Sequence, residues 1–297
     1  MSFYAFLGAI EQGLVYGIMA LGVYITFRIL DFPDLSVDGT FPLGASVVAV
    51  LIVHDINPYL STIIAFLAGV VAGMITGILN TKLKILNLLS GILVMIALYS
   101  VNIRIMGQPN TSLLGYDTIF TPIEAFFDAE RYMISPVVFL VVIIFLVIAM
   151  TWFFHTDIGL GMRGTGDNPK MVKAQGINNN FMVLLGLAFS NGLVALSGAL
   201  VAQSQGSADV NMGIGTIVAG LASVILGEAF LEARTVFRGV LAVVLGSVVY
   251  RFAIAVALSF RVGSFQLNPS DLNLITAIIV TSALVSPGIK KVFKSRL

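Results

Sequence analysis

Nine stretches of this chain are apolar for long enough to cross a bilayer, and that feature limits the fold more than any motif does. They lie near residues 8–29, 36–53, 59–80, 87–105, 134–154, 181–203, 216–232, 234–257 and 270–286. An apolar run of about 20 residues spans ~30 Å of hydrocarbon as a helix. Inside lipid only a helix or a closed barrel satisfies every backbone polar group. The runs are helix-length, so the expected fold is an all-α membrane protein: one bundle over residues 1–297 with about nine transmembrane helices. Some are expected to be broken or re-entrant. The second run is interrupted by Pro42 and Gly44, and the seventh is barely long enough to cross.

Composition agrees. Only 10% of residues are charged and 58% are hydrophobic, whereas a soluble domain carries about 25% charged residues. The absence of cysteine excludes disulfides, thiolate catalysis and thiolate metal sites. The only histidines, His54 and His155, each stand alone at the end of an apolar run, so no metal centre is expected. No basic stretch precedes the first run and no small-residue cleavage site follows it, so that run is expected to be a retained membrane helix.

Basic residues set the orientation. With the C-terminus inside, Arg28, Lys82, Lys84, Arg163, Lys170, Lys173, Arg234, Arg238, Lys290, Lys291, Lys294 and Arg296 all face the cytoplasm, twelve of the sixteen Lys and Arg. Only Arg104, Arg131 and Arg261 then lie outside, with Arg251 inside the eighth run. The expected topology is N-terminus out, C-terminus in. Gly69, Gly73 and Gly77 on the third run, and Gly13 and Gly17 on the first, mark faces where helix backbones can approach closely. The polar stretch 108–132 has room for a short helix at 122–131 lying on the membrane surface.

The loop 156–180, on the basic side, carries the most local information. Asn168 followed by Pro169 is a strong helix start, and Gly176 is a natural stop. The spacing predicts a two-turn helix over 169–175. So short a helix does not hold by itself in water, so something must pack on it, and Met171 and Val172 are the apolar side chains available. Two readings fit: a loop whose charges merely fix topology, or a helix that docks on a cytoplasmic partner.

The order Gly161-Met162-Arg163, Gly166-Asp167-Asn168-Pro169 and Ala174-Gln175-Gly176-Ile177-Asn178 resembles the cytoplasmic loop of the branched-chain amino acid and sugar permease family of ABC importers. Gly13-Leu14-Val15-Tyr16-Gly17-Ile18 and Asp34-Leu35-Ser36-Val37-Asp38 resemble that family's first two spans. Asp38 stands where the sugar permeases have glycine, so sugar specificity does not carry over. The string 26–39, with Gly206-Ser207-Ala208-Asp209 and 220–228, is closest to the permease of tryptophan/tyrosine importers. The resemblance implies a multi-pass permease of the bacterial inner membrane that provides the path for a small solute, an amino acid and possibly an aromatic one. It implies a second permease copy, two ATPase subunits and an extracellular or periplasmic binding (lipo)protein as partners, with no role for nucleic acid. ATPase coupling would fall to Arg163, Asp167, Asn168, Pro169, Met171, Val172, Ala174, Gly176 and Asn178. The chain has no phosphate-binding G-x-x-x-x-G-K-[ST] loop, so it is not expected to be an enzyme or to bind a cofactor itself. ATP and Mg would belong to the partner.

Polar residues within apolar runs are the candidates for a solute path: Ser36, Asp38, Asn87, Ser90, Asn102 and Asn191. For most, an interhelical hydrogen bond is the simpler role, at about 0.6 kcal/mol each. Asp209, Asn211 and Asp271 fall at the outer face, as gate or binding-protein contacts. The rival reading is an ion-coupled secondary transporter, which needs an ionisable residue at the midplane and usually internal repeats. An intramembrane enzyme would need a catalytic set that the runs do not contain.

Overall fold

A computed structural model describes residues 3–128, 130–231, 235–259, 261–262, 265–266 and 281. Eleven α-helices account for most of them: α1 (Phe3–Tyr24), α2 (Val37–Val53), α3 (Pro58–Thr81), α4 (Asn87–Met106), α5 (Thr121–Phe127), α6 (Arg131–His155), α7 (Asp157–Asp167), α8 (Pro169–Ala174), α9 (Asn179–Gln205), α10 (Thr216–Phe230) and α11 (Val236–Ser259). Two antiparallel ribbons complete the description, β1 (Asn110–Ser112) with β2 (Ser207–Asp209), and β3 (Arg261–Val262) with β4 (Phe265–Gln266).

Among the described residues, seven helical segments are long and apolar enough to span a membrane, and α2 is a shorter apolar helix of 17 residues. These eight match the first eight predicted runs. The ninth, 270–286, lies outside the described residues. Two local expectations are corrected. Pro42 and Gly44 do not break α2, which runs unbroken through both; the irregular backbone precedes it, at residues 30–36. The loop 156–180 also contains more helix than its composition suggested, because Thr156 caps an additional helix, α7, by accepting from the Gly159 amide.

The bundle is built around α1 and α9. In α9 the apolar window is 72% buried, against 28% for α4, so α9 is central and α4 peripheral in a single chain. Small residues account for this. An added Cβ at Gly69 would sit 2.4 Å from the Asn191 carbonyl oxygen of α9, and one at Gly73 2.2 Å from that of Leu187. The glycine face of α3 therefore does lie backbone-to-backbone on α9, the geometry that favours helix association in lipid. On α1, Gly13 packs against the Val248 backbone of α11, while Gly17 meets side chains, the end of Ile143 on α6 and Ser247 on α11. Three hydroxyls tie neighbouring helices together: Ser190 donates to Gly22 O, Ser197 to Val15 O and Ser247 to Gly13 O, at 2.7–2.8 Å.

Gly44 makes the closest approach. A Cβ there would stand 1.9 Å from the Ala195 carbonyl oxygen, and backbone cannot rotate away as a side chain can. Gly44→Ala is expected to force α2 off α9 and cost about 3 kcal/mol, the upper part of the usual overpacking range. Thermal unfolding in detergent checks this, with Gly8→Ala, where the added methyl meets nothing within 4 Å, as the neutral control.

Candidate functional site

The candidate path residues separate into groups the sequence could not distinguish. At the end of α1 the helix widens into a π turn (Ile25–Ile29), and Phe32 N donates back to Thr26 O. Asp31 then takes a left-handed conformation (φ 50°), and the chain turns inward through residues 32–36. This extended stretch reaches the centre of α9: Asn191 Nδ2 donates to Asp34 Oδ2 at 2.8 Å, and Asn191 Oδ1 accepts from Thr40 Oγ1 at 2.7 Å and Ser36 Oγ at 3.1 Å. Asp34 Oδ1 accepts from the amide and hydroxyl of Ser36 at 2.9 and 2.6 Å. All four side chains are essentially inaccessible. Non-helical backbone at membrane depth persists only where protein or water satisfies it, and this knot of side chains does so. Ser36 and Asn191 therefore fasten this turn. Asp34, which sequence reasoning did not select as a site residue, is its centre; its signal was a carboxyl group between two apolar runs.

Asn87 and Ser90 are also structural. Asn87 Oδ1 accepts from Asn80 Nδ2 at 2.6 Å across the α3–α4 turn, and Ser90 Oγ donates to Asn87 O.

Asp38 and Asn102 form a different group. Asp38 sits in the first turn of α2, yet its carboxylate caps the start of α10: Oδ1 accepts from Ile217 N (2.8 Å) and Thr216 Oγ1 (2.9 Å), and Oδ2 from Gly215 N (3.2 Å). A carboxylate there also complements the positive end of the helix dipole. Asn102 Nδ2 donates to Gly39 O at 3.1 Å, which joins α4 to the same turn. Both side chains line one cavity between α2, α4 and the 3₁₀ turn Val210–Gly213.

At the opposite end of the bundle lies the predicted coupling segment. Asn168 Oδ1 accepts from Met171 N at 3.1 Å, Pro169 occupies the first turn of α8, and Gly176 is left-handed (φ 85°). The cap, helix and stop stand where their residues predicted. Asn178 caps α9 by accepting from Phe181 N, and Asn179 Nδ2 donates to Pro169 O at 2.6 Å, which binds α8 to the base of α9. Val172 is not available to a partner: it is 2% exposed and packs over Gly164 of α7. Met171, 48% exposed, projects outward, and Lys170, Lys173 and Ala174 are exposed as well.

The α7 helix links this element to the transmembrane core. Gly166 packs on the Ile29 carbonyl in the π turn after α1, where a Cβ would be 2.0 Å away. Arg28, Asp31, Arg163 and Asp167 line a cleft of about 660 Å³ between α1 and α7. Glu228 of α10 meets Arg28 at 2.7 Å, linking α10 to this corner.

At the other face Asp209 fastens the crossing of β1 and β2. Its Oδ1 accepts from Asn211 N at 2.7 Å and its Oδ2 from Asn110 Nδ2 at 3.3 Å. Asn211 is exposed beside it, and Asp271 lies outside the described residues. The short helix α5 and Arg131 are joined through the Arg131–Glu124 pair at 2.8 Å. No cluster of three or more His, Cys, Asp or Glu suited to a metal occurs among the described residues.

Comparison with known proteins agrees with this arrangement. The chain matches the family described as branched-chain amino acid transport system / permease component over residues 5–285. It is 45% identical, over 94% of this chain and 90% of the relative, to the tyrosine transport system permease protein of Clostridioides difficile. It is 24% identical to the ribose import permease protein of Escherichia coli K12 (75% of this chain, 68% of the relative). It is 25% identical to a probable branched-chain amino acid transport permease of Methanocaldococcus jannaschii (67% and 65%). In fold it is similar to a chain of PsaBC from Streptococcus pneumoniae in complex with Fab, with a TM-score of 0.50 and 15% identity, covering 95% of this chain and 91% of that one. A bundle of apolar spans with this sequence kinship is a multi-pass protein of the bacterial inner membrane. The chain belongs to the branched-chain amino acid transport system permease family, the membrane-spanning permease subunits of ABC importers.

Proposed function

We propose that this permease imports an amino acid, with tyrosine or a similar aromatic amino acid as its cargo, and that it works as two copies driven by two separate ATPase subunits. A binding protein outside the membrane delivers the solute, ATP and Mg reside on the ATPases, and the N-terminus faces out with the C-terminus inside. The kinship to a tyrosine transport permease supports the cargo. The observation that carries the coupling role is α8. It is too short to stand alone, yet it is capped by Asn168, bound to the base of α9 through Asn179 and seated on α7 through Val172. It turns Met171 and two lysines outward. An element held that firmly transmits a push to α7 and thence to the inner end of α1. Arg163 and Asp167 line the cleft beneath it, alongside Arg28, in keeping with a cytoplasmic basic face.

The test is uptake by inside-out-controlled vesicles holding the permease, its ATPase and its binding protein. Labelled tyrosine is expected to accumulate only with hydrolysable ATP. Accumulation driven by an ion gradient without ATPase would overturn the reading in favour of a secondary transporter.

A further inference from the structure

The cavity shared by Asp38 and Asn102 belongs to neither the re-entrant knot nor the coupling corner. It holds about 430 Å³, enough for an amino acid, and its walls are mainly apolar: Pro42 from α2, Met95 and Tyr99 from α4, and Ile214 beyond the 3₁₀ turn. Two helices begin beside it. Both α2 and α10 start deep in the bundle, because Gly213 packs directly on the Asp38 carbonyl, where a Cβ would be 2.0 Å away. Pro42 lacks the amide that would otherwise bond that carbonyl within the helix. Interrupted helices meeting within a membrane are a common way to build a solute site.

Asp38 and Asn102 present acceptors to the cavity, and Tyr99 and Ser100 add hydroxyls to its lining. Each carboxylate oxygen can accept two hydrogen bonds. Asp38 Oδ1 takes two and Oδ2 takes one, so one position on Oδ2 is unused. Asp38 is only partly buried. Asn102 is 1% exposed, and its Oδ1 has no hydrogen-bond partner among the described residues. A buried amide oxygen left unpaired is costly, so a ligand donor or its water would be stabilised there. A carboxylate and an amide oxygen within apolar walls suit a ligand that carries a cationic amino group on an apolar body. They do not suit a solute of net negative charge.

Resting on the amino acid importer reading above, we propose that this cavity is a transit site in the membrane path. The substrate's ammonium group lies against Asp38 Oδ2, with Asn102 as a second acceptor, and its side chain lies against Met95, Tyr99 and Ile214. Asp38 is then the residue that favours an amino acid in the path itself, in addition to any choice made by the binding protein.

The chain has no cysteine, so a single Ser100→Cys change on the cavity wall gives a specific reporter in the assembled transporter. The expected result is that an ammonium-bearing methanethiosulfonate labels it at least about tenfold faster than a sulfonate-bearing one, the scale of focusing by a charged cleft. That preference should collapse in the Asp38→Asn background, where the acceptor for Thr216 and Ile217 is kept while the charge and the weaker contact to Gly215 N are removed, and L-tyrosine but not ribose should slow labelling. An unreactive Ser100→Cys, a charge preference that persists in Asp38→Asn, or protection by ribose instead of tyrosine would each overturn the proposal. ATP-driven tyrosine uptake is measured in the same vesicles. If uptake persists while labelling fails, only the cavity assignment falls; if uptake is absent, the importer reading falls with it.

Discussion

Asp34→Asn and Asn191→Asp are each expected to destabilise the permease sharply, and the two together to restore most of what is lost. In the native pair, Asn191 presents its NH₂ to Asp34 Oδ2 and its oxygen to Thr40 and Ser36. Asp34→Asn leaves its oxygen to serve Ser36 but sets a second NH₂ against that of Asn191. Rotating Asn191 gives no relief, because Thr40 and Ser36 both donate to its oxygen. Asn191→Asp fails in the opposite way, with two carboxyl groups face to face. Each single change leaves buried groups unpaired at about 1–3 kcal/mol apiece. That exceeds the ~0.6 kcal/mol of an average interhelical bond, because this network is fully enclosed and holds irregular backbone. In the double variant the amide at 34 again donates to a carboxyl at 191, which still accepts from Thr40. Thermal unfolding of the purified complex, read as a double-mutant cycle, checks this. Additive losses in the double variant would show that the contact does not hold the turn.

The second large effect concerns transport with the fold intact. Asn168→Ala removes the acceptor for Met171 N, a cap worth about 1 kcal/mol, from a helix of six residues that has little else of its own. Gly176→Val forces a β-branched residue into φ 85°, a region that costs L-residues roughly 1–2 kcal/mol. Gly166→Ala acts one step further in, wedging α7 away from the Ile29 carbonyl. All three are expected to abolish most ATP-driven uptake. ATP hydrolysis should become insensitive to loaded binding protein, while thermal unfolding stays near that of the parent for Asn168→Ala and Gly176→Val and falls for Gly166→Ala, whose added methyl meets backbone. Normal uptake in all three would remove α8 as the coupling element. Lys170→Ala, on an exposed side chain of the same helix, is the control for a change that leaves cap and seat untouched.

The capped helix α8 was legible in advance because it is encoded locally. Asn-Pro at one end and glycine at the other set φ and hydrogen bonding for residues within one or two turns, so the helix at 169–174 appears where the residues place it. The same holds for the apolar runs, since length and hydropathy are properties of a continuous stretch. The close packing of α3 was also written in Gly69, Gly73 and Gly77, although not the identity of its partner.

Tertiary structure decided which polar residues hold the bundle together and which line a cavity. Ser36, Asp38, Asn102 and Asn191 are equivalent in sequence: each is a polar residue within an apolar run. Their roles diverge because the re-entrant turn at 30–36 carries Ser36 onto Asn191, 155 residues away. The start of α10 meets Asp38 from 178 residues away. A hydrogen bond's worth depends on its partner and on the exclusion of water, and neither is fixed until distant helices pack. Val172 teaches the same lesson, an apolar residue that looked free to dock and is already covered by α7. The sequence alone thus determined that this chain spans a membrane and carries a capped helix in a basic loop. The three-dimensional packing determined that Asp34 locks a turn and that Asp38 opens onto a cavity.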